Sequence, residues 1–285
     1  MKVLVIIVTW NGMRWVDRCI GSVLASKTQA DAFVVDNASS DGIADYIAAN
    51  YPEVHLVRNT CNLGFSEANN MGFRYAMENG YDYVYLLNQD AWISPDTITV
   101  LAGVHAAHPE FGLLSPEQMC ADGVTFNPVF EREVVASEKE TDASCGLYEV
   151  PFAPAAHWLV PVSTLRKIGL FATFLPIYGN DDDYCHRVLY HGLKTGVVRG
   201  CRVIHDKVYS PQTVTGKVYR NYYMNGLIAL SDIRKPVAVQ MIYVLLLTFV
   251  KTVKYRSFLP FKYLWKIAGR ENRREVRSHR KTCRK

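Results

Sequence analysis

The sequence predicts an α/β protein with a mostly parallel central sheet flanked by helices. Apolar strand-like runs alternate with segments of helical periodicity between Val3 and Ala107, which is typical of strand–helix–strand units with right-handed crossovers. Polar clusters follow three of the four strands that this pattern predicts. The chain has 285 residues, of which 49% are hydrophobic, so it can bury a substantial core.

Four strands and four helices are predicted in the first part of the chain. Short, fully apolar runs are typical of parallel strands that are covered on both faces. The predicted strands are Val3–Val8, Ala32–Val35, Val54–Val57 and Tyr83–Leu87. The predicted helices are Trp15–Ala25, Ile43–Ala49 after a cap at Ser40 or Asp41, a helix from a cap at Ser66 to Ala76, and one that Pro95 opens and Ala107 ends.

The rest of the chain has a weaker pattern. Residues 116–150 are polar and weakly periodic, and they predict a partly exposed insertion. Further elements are predicted as helices at Ser163–Ile168 and from Gly179 to Tyr190, strands at Lys194–Val198 and Cys201–Ile204, and helical structure from Gly216 onwards.

The C-terminal region combines apolar and basic residues. Val237–Val250 has only Gln240 and Thr248 as polar residues, and it is shorter than the roughly 20 residues of a spanning helix. Residues 251–285 carry a net charge of +11, against −6 for the remainder. Aromatic residues beside cations predict a helix on an anionic membrane surface. A core helix, a dimer contact and a nucleic-acid-binding tail are the alternatives, and the acidic body disfavours nucleic acid.

Cysteine usage indicates a reducing compartment. The seven cysteines are scattered and none forms a Cys-x-x-Cys pair, so neither a zinc site nor a disulfide framework is predicted. The apolar run after Lys2 is too short for the core of a signal peptide. We expect a cytoplasmic protein that is peripheral at the inner face of the cell membrane.

Polar residues follow three of the predicted strands. The clusters are Thr9-Trp10-Asn11, Asp36-Asn37-Ala38-Ser39 and Asn88-Gln89-Asp90. The carboxyl ends of parallel strands meet at one edge of a sheet, where α/β proteins bind ligands. Turn chemistry alone explains any single cluster, but three at one edge predict a binding site.

Ionisable residues point to chemistry at this edge. Asp90 can help to hold a hard divalent cation or can cap a helix. The run from Asp181 to Asp183 crowds three carboxylates, which raises a pKa as a general base requires, or else it marks a charged helix N-terminus. His205 beside Asp206 can ligate the same metal, contact phosphate or be structural.

These motifs resemble, in their order, the signatures of family 2 glycosyltransferases. The match covers residues 3 to about 225 and rests on Val5–Asn11, Val34–Gly42, Asn62–Phe65 with Asn69–Gly72, Leu86–Asp90, Tyr178–Arg187 and His205-Asp206. The resemblance implies the GT-A fold, sugar transfer from a nucleotide-diphosphate sugar, and inversion of the anomeric centre. Within this family, the sequence is most similar to the rhamnosyltransferase-like branch, which builds bacterial surface polysaccharides.

The resemblance also implies roles for individual residues. Asp181 matches the catalytic base, Asp90 the last carboxylate of the Asp-x-Asp metal motif, and His205 the late histidine near metal or phosphate. Arg187 closes the base motif and is expected to pair with an acid. The implied donor-binding residues are Thr9, Asn11, Asp36, Asn37, Asn62, Gly64, Asn70, Asn88, Gln89 and Asp90.

Two positions depart from the family's pattern. Asn88 stands where the first carboxylate of Asp-x-Asp is expected, so it brings no charge to the metal site. Asn180 stands where a glutamate precedes the base. Dependence on Mg²⁺ or Mn²⁺ is therefore an expectation, and an inactive scaffold with the same fold is one alternative function.

We expect a catalytic domain at residues 1–225 and a helical, membrane-associating region at 226–285. The expected reaction transfers a sugar from dTDP-rhamnose or a UDP-sugar to a hydroxyl of a lipid-linked or oligosaccharide acceptor, without nucleic acid as a partner. A nucleotidyltransferase is the second alternative function. It is disfavoured because no glycine-rich phosphate loop with a basic residue follows the first strand.

Overall fold

The computed structural model describes residues 1–175, 178–207 and 213–284. The strands are β1 (Val3–Thr9), β2 (Ala30–Asp36), β3 (His55–Arg58), β4 (Tyr83–Asn88), β5 (Ala91–Trp92), β6 (Phe111–Met119), β7 (Lys139–Asp142), β8 (Leu147–Glu149), β9 (His157–Pro161) and β10 (Lys194–His205). The helices are α1 (Val16–Leu24), α2 (Ile43–Asn50), α3 (Gly64–Glu78), α4 (Thr97–Ala107), α5 (Pro128–Phe130), α6 (Val162–Ile168), α7 (Asn180–Tyr190), α8 (Val214–Val218), α9 (Asn225–Ser231), α10 (Val237–Tyr255), α11 (Leu259–Ile267) and α12 (Arg270–Thr282).

The protein is built around one ten-stranded sheet. Its strand order is β3-β2-β1-β4-β9-β6-β10-β8-β7, with β5 paired to β10. The strands β3, β2, β1, β4, β6 and β10 run in one direction, because β9 is antiparallel to both of its neighbours. This arrangement confirms the predicted α/β architecture with a mostly parallel sheet.

The first four strands and helices lie where the sequence predicts them. Alternate residues of β1 enter two separate cores: Val3 and Ile7 pack with α1, α2 and α4, whereas Leu4 and Ile6 pack with α3 and α6. Burial of both faces explains why the apolar runs are continuous. The predicted cap at Ser66 is wrong, since α3 begins at Gly64.

The predicted insertion at 116–150 needs correction at its beginning. Residues 116–119 belong to β6, which is buried along its whole length between β9 and β10. The remainder forms α5, which continues as a π-helix at Glu131–Val135, and the hairpin β7–β8. Phe130 and Val134 are buried there, so this segment has a small core of its own.

A single strand replaces the two that were predicted at Lys194–Val198 and Cys201–Ile204. β10 is continuous, and its pairing with β6 shifts register between Val198 and Arg202. This irregularity explains the interruption of the apolar pattern at Arg199 and Gly200.

The C-terminal helices pack together against the loop before α7. Leu175, Tyr222, Leu227, Val244 and Ile267 belong to one buried apolar cluster. It joins residues from both sides of position 225, and the domain boundary there stays a prediction.

The α10 helix is longer than its apolar run suggested. It spans 19 residues, and within the described residues it is the one helix long and apolar enough to cross a membrane. Its buried residues are only Gln240, Val244 and Thr248. Met241, Leu247 and Tyr255 are partly buried against the C-terminal cluster, and most of the other apolar side chains of α10 are exposed.

Candidate active site

Asp36 is fixed at the carboxyl end of β2. Thr9 Oγ1, at the end of the neighbouring β1, donates to Asp36 Oδ1 at 2.9 Å. Ser39 donates its hydroxyl to Oδ1 at 2.5 Å and its backbone N–H to Oδ2 at 3.1 Å. The carboxylate is only 3% exposed, so its orientation is set by the protein before any ligand binds.

Asn11 connects the loops that follow β1 and β2. Its backbone lies in the left-handed region with φ of +51°, which asparagine tolerates better than most residues. Its N–H donates to Ser39 Oγ at 2.9 Å, and its Oδ1 accepts from the N–H of Ser40 at 2.8 Å. These bonds place Asn11 beside Asp36.

Gln89 holds the β1 loop from the β4 side. Its Oε1 accepts from the Trp10 N–H at 2.7 Å, and its Nε2 donates to the Trp10 carbonyl at 3.2 Å. Both polar ends of the amide are thus occupied by backbone. The Trp10 side chain remains 54% exposed at the edge of the sheet where the three polar clusters meet.

Asn37, Asn62 and Gly64 shape the start of α3. The buried Asn37 donates to the Gly64 carbonyl at 3.1 Å and accepts from the Leu63 N–H at 3.2 Å. Asn62 Oδ1 accepts from the Gly64 N–H at 2.8 Å. Gly64 has φ of +78°, a conformation that favours glycine.

Asn70 lies inside the protein. Its Nδ2 donates to the Phe171 carbonyl at 3.0 Å, and its Oδ1 accepts from the Phe171 N–H at 2.9 Å. The side chain is 2% exposed. It therefore fixes the loop before α7 rather than offering a free group at the sheet edge.

Asp90 and His205 face each other beyond the sheet. His205 Nε2 lies 3.5 Å from Asp90 Oδ1. That nitrogen is buried and makes no hydrogen bond within the described residues. Asp206 donates its N–H to the Asp90 carbonyl at 2.8 Å, which keeps the two strand ends together.

The pair suits a divalent cation. A carboxylate oxygen and an unpartnered imidazole nitrogen, close enough to share one ion, are a common donor set for Mn²⁺ and related metals. Burial raises the pKa of Asp90, but the neighbouring His205, together with Lys207, more than offsets this and lowers it overall. Asp90 is thus ionised, as a ligand must be.

His157 supports His205 from below. Its Nε2 donates to the Ile204 carbonyl at 3.0 Å, and its Nδ1 accepts from the Tyr85 hydroxyl at 3.0 Å. A carbonyl oxygen can only accept, so Nε2 carries a proton, and in the neutral ring Nδ1 is then the acceptor. The pKa of His157 is lowered to about 3, mainly by burial and to a smaller extent by the nearby His205.

The carboxylates of α7 begin at a tight turn. Gly179 has φ of +84°, and the buried Asn180 that follows places its Oδ1 2.5 Å from Ser66 Oγ. Burial raises the pKa of Asp181. It also raises the pKa of Asp182, to which the charge of Asp181 adds.

Asp183 differs from its two neighbours. It accepts from Arg187 Nε at 2.9 Å and pairs with His279 Nε2 at 2.7 Å. Burial raises its pKa, but the charges of Arg187 and His279 outweigh burial and lower it. The expected pairing of Arg187 with an acid is present, and Asp183 is the partner.

A cavity of about 720 Å³ connects the first two carboxylates of α7 with His205, which lies beside Asp90. Asp181, Asp182, His205 and Lys207 line it, and Lys207 acts electrostatically on both Asp90 and Asp181. The sites that the sequence predicted far apart along the chain therefore meet beyond the carboxyl ends of the strands. Asp36 lies at the same sheet edge, at the end of β2.

Some residues at this site had no sequence signal. His157, which Tyr85 orients, supports His205, while Arg220 lines the cavity. None of His157, Tyr85 and Arg220 stands in a recognisable motif, because only the tertiary fold brings them together.

The fold and the site define an α/β protein with an oriented aspartate at the sheet edge, an aspartate–histidine pair that suits a cation, and buried carboxylates on a cavity. Residues 4–168 match the model of the family described as glycosyl transferase family 2. The chain belongs to this family.

Curated relatives include enzymes that act on lipid-linked substrates. An undecaprenyl-phosphate mannosyltransferase of Micrococcus luteus is 34% identical over 101 residues, which are 34% of this chain and 42% of that protein. An N-acetylglucosaminyl-diphospho-decaprenol L-rhamnosyltransferase of Mycobacterium tuberculosis is 27% identical over 72% of this chain and 76% of that protein. The chain thus spans less than half of the length of the Micrococcus luteus mannosyltransferase.

Solved structures show the GT-A fold. The mannosyltransferase PcManGT of Pyrobaculum calidifontis, in complex with GDP-Man and Mn²⁺, superimposes with a TM-score of 0.64 and 17% identity, over 93% of this chain and 74% of that one. The GT-A fold expected from the sequence is confirmed.

Proposed function

We propose that the protein is an inverting glycosyltransferase that moves a sugar from a nucleotide-diphosphate sugar to a hydroxyl of a lipid-linked glycan. The observation that carries this proposal is the single cavity in which Asp181 and His205 meet, next to Asp90. The known relatives that act on lipid-linked sugars support the choice of acceptor.

Asp181 is the proposed general base. Its pKa is raised by burial, which makes its carboxylate a stronger base for the acceptor hydroxyl than an exposed aspartate. As the hydroxyl loses its proton to Asp181, its oxygen attacks the anomeric carbon and the nucleoside diphosphate leaves from the opposite face. One displacement inverts the configuration.

The donor is proposed to lie along the edge formed by β1, β2 and β4. Asp36 is oriented by Thr9 and Ser39 to accept hydrogen bonds from the base or ribose. Asn11 and Asn62 lie in the loops at this edge, and Asn88 ends β4 there. Asn37, Gly64 and Gln89 hold the edge loops by hydrogen bonds to backbone, whereas Asn70 holds the loop before α7.

Asp90 and His205 would hold Mg²⁺ or Mn²⁺. The unpartnered nitrogen of His205 and the ionised carboxylate of Asp90 fit such an ion. When bound, the cation offsets the negative charge that develops on the leaving diphosphate. Asn88 adds no charge to this site, which predicts a weaker site than one with two carboxylates.

Positive charge lines the side of the cavity nearest the C-terminal helices. Arg220 lies over the Tyr178 ring at 4.9 Å, and neither it nor Lys235 pairs with a carboxylate within the described residues. The same cavity reaches Gln240 and Tyr243 at the start of α10. A phosphorylated lipid carrier held there would bring its sugar to Asp181, which favours a lipid-linked acceptor.

The exposed side of α10 and α11 is proposed to rest on the membrane. Leu246, Phe249 and Val253 are each more than 60% exposed, and Trp265 is 84% exposed. The surrounding lysines and arginines favour an anionic surface. The proposed location is the inner face of the cytoplasmic membrane.

Donor binding and transfer can be tested separately. We expect one of dTDP-rhamnose, UDP-N-acetylglucosamine or GDP-mannose to raise the melting temperature with Mn²⁺. Asp181→Asn should retain this shift but lose transfer to a lipid-linked acceptor by about 10²–10⁴-fold. Binding without transfer by the unmodified protein, across donors and acceptors, would instead indicate an inactive scaffold.

A further inference from the structure

A second cavity lies between the loop before α7 and the C-terminal helix. Its volume is about 490 Å³, and it shares no lining residue with the cavity that contains Asp181. Gly169–Phe174 form one wall, while Glu275, His279 and Cys283 of α12 and its C-cap form the other. The proposed sugar transfer makes no use of this cavity.

Cys283 ends a line of three chemically coupled groups. Its Sγ lies 3.5 Å from His279 Nδ1, and His279 Nε2 lies 2.7 Å from Asp183 Oδ1. Burial lowers the pKa of His279, but the hydrogen bonds and charges of Asp183 and Cys283 outweigh it and raise the pKa to about 9. An imidazolium therefore faces the sulfur at neutral pH.

The cavity wall carries a net positive charge. Arg166, Lys167 and Arg187 line it together with His279, against the carboxylate of Glu275 on the wall and that of Asp183, which Arg187 and His279 share. Arg187 is fully buried, and its Nη2 has no hydrogen-bond partner within the described residues. A buried, unpartnered guanidinium nitrogen is costly unless an anion satisfies it.

The other cysteines lack this environment. Burial raises the pKa of Cys19, Cys185 and Cys201, and the pKa values of Cys120 and Cys145 are shifted in the same direction by burial and by nearby aspartates. Cys61 is exposed and lines neither cavity. It provides a matched reference thiol.

We propose that Cys283 is a modification site that forms a mixed disulfide with an anionic low-molecular-weight disulfide bound in this cavity. The thiol first releases its proton to solvent. The Cys283 thiolate then attacks one sulfur of the disulfide, a new S–S bond forms, and the second sulfur leaves as a thiolate that takes a proton from water. No other oxidant is required.

The adduct lies next to the catalytic helix. His279 and Arg187 both line the cavity that holds the adduct, and both hydrogen-bond to Asp183, which is two residues beyond Asp181. Modification of Cys283 can therefore affect α7 through the hydrogen bonds that His279 and Arg187 make to Asp183.

Two disulfide probes that differ in charge test this proposal. The full chain is treated with anionic dithiobis(nitrobenzoate) or with neutral dithiodipyridine, and the modified cysteines are identified by peptide mass spectrometry. The ratio of the anionic to the neutral rate at Cys283 should exceed that at Cys61 by about tenfold at low salt, because the cationic wall attracts the anion. Added salt should reduce the difference.

Variants assign the effect to the cavity. Cys283→Ser should abolish the rapid reaction with the anionic disulfide, and Cys61→Ser should leave that reaction unchanged. Arg166→Gln, on an exposed side chain whose loss does not threaten folding, should lower the rate ratio about threefold. The proposal would be overturned if the ratio of the anionic to the neutral rate were equal at Cys283 and Cys61. It would also be overturned if the rapid reaction with the anionic disulfide persisted in Cys283→Ser.

Discussion

The three consecutive aspartates of α7 have different environments, and these separate their roles. Asp183 is neutralised by Arg187 and His279 on the inner side of the helix. Asp181 and Asp182 line the cavity without an ion-pair partner among the described residues, and burial raises the pKa of each. Of the three carboxylates, these two are therefore the candidates for proton transfer to or from a substrate.

The first prediction distinguishes Asp181 from Asp182. Asp182→Asn should retain transfer within about tenfold, whereas Asp181→Asn should lose about 10²–10⁴-fold, because only the base accepts the acceptor's proton. In the unmodified protein kcat/KM should fall as pH is lowered, with its midpoint above the roughly 3.9 of an ordinary aspartate, since burial raises the pKa of Asp181. Equal losses in the two variants would contradict this assignment of the base.

A second prediction concerns Asp90 and His205 as the proposed metal ligands. Asn88→Asp adds a carboxylate at the end of β4 and should tighten Mn²⁺ binding about tenfold, because affinity rises with ligand charge. His205→Asn should weaken it. Calorimetric titration of Mn²⁺ without donor measures both, and Asn62→Asp, which adds a carboxylate in the loop before α3, is the matched control. An unchanged Mn²⁺ affinity in both Asn88→Asp and His205→Asn would place the metal elsewhere.

Residue types at strand ends made much of this site predictable. Thr9, Asp36 and Asp90 follow apolar runs, so the parallel architecture alone places them at one edge. The inward-turned Asn70 could not be distinguished from a ligand-binding asparagine, because its partner Phe171 is 101 residues away. His157 was missed for the same reason.

At the scale of elements, the turn at Gly179 controls where α7 begins. A Cβ there would lie 2.4 Å from Ile228 Cγ1 of α9, and the φ of +84° is unfavourable for other residues. The turn therefore positions the carboxylates at the start of α7 and also permits the close contact between α7 and α9.

The third prediction compares two glycine substitutions. Gly192 also has positive φ, +73°, but a Cβ added at this position would meet no atom within 4 Å. Gly192→Ala should cost about 1–2 kcal/mol from backbone strain alone. Gly179→Ala should cost about 1–3 kcal/mol more, because Ile228 must also move. Denaturant unfolding measures the loss of stability in both variants. Equal losses would show that Ile228 of α9 moves aside without an energetic cost.

Long apolar elements were predictable, whereas short paired ones were not. The strands β1, β2 and β4 are continuous apolar runs, and each lies within two residues of its prediction. The strands β5, β7 and β8 have two to four residues and are held by pairing with β10 or with each other. Periodicity cannot be read over such lengths. The failed cap at Ser66 has a tertiary cause, since its hydroxyl reaches Leu175 and Asn180 instead.

At the scale of the whole molecule, α12 links the C-terminal region to α7. Arg280 donates to the carbonyls of Leu230, Asp232 and Lys235 at the end of α9. His279, one residue earlier, pairs with Asp183. The C-terminal helices are thus anchored by buried polar contacts as well as by the apolar cluster.

The fourth prediction is a pH-dependent contribution of His279 to stability. Its pKa rises from 6.5 to about 9 on folding, so the stabilisation is complete below pH 6.5 and is lost as pH rises through about 9. The shift corresponds to at most about 3 kcal/mol. The difference in unfolding free energy between the unmodified protein and His279→Gln should shrink over this range. A difference that is constant with pH would exclude ionic pairing with Asp183 as its source.

The final prediction tests the membrane surface proposed for α10 and α11. Phe249 and Leu246 are 66% and 64% exposed, and insertion of each contributes about 1.5–3 kcal/mol. The double variant Leu246→Gln, Phe249→Gln should therefore weaken binding to anionic vesicles by about 100-fold, while Val124→Gln, at a residue 78% exposed in the loop after β6, should not change it. Neutral vesicles and high salt should also weaken binding, because the basic residues beside these helices contribute electrostatically. The length of α10 permits a second arrangement, and extraction of membranes with alkaline carbonate distinguishes the two. Release of the protein supports a helix lying on the surface, whereas retention would show that α10 crosses the bilayer.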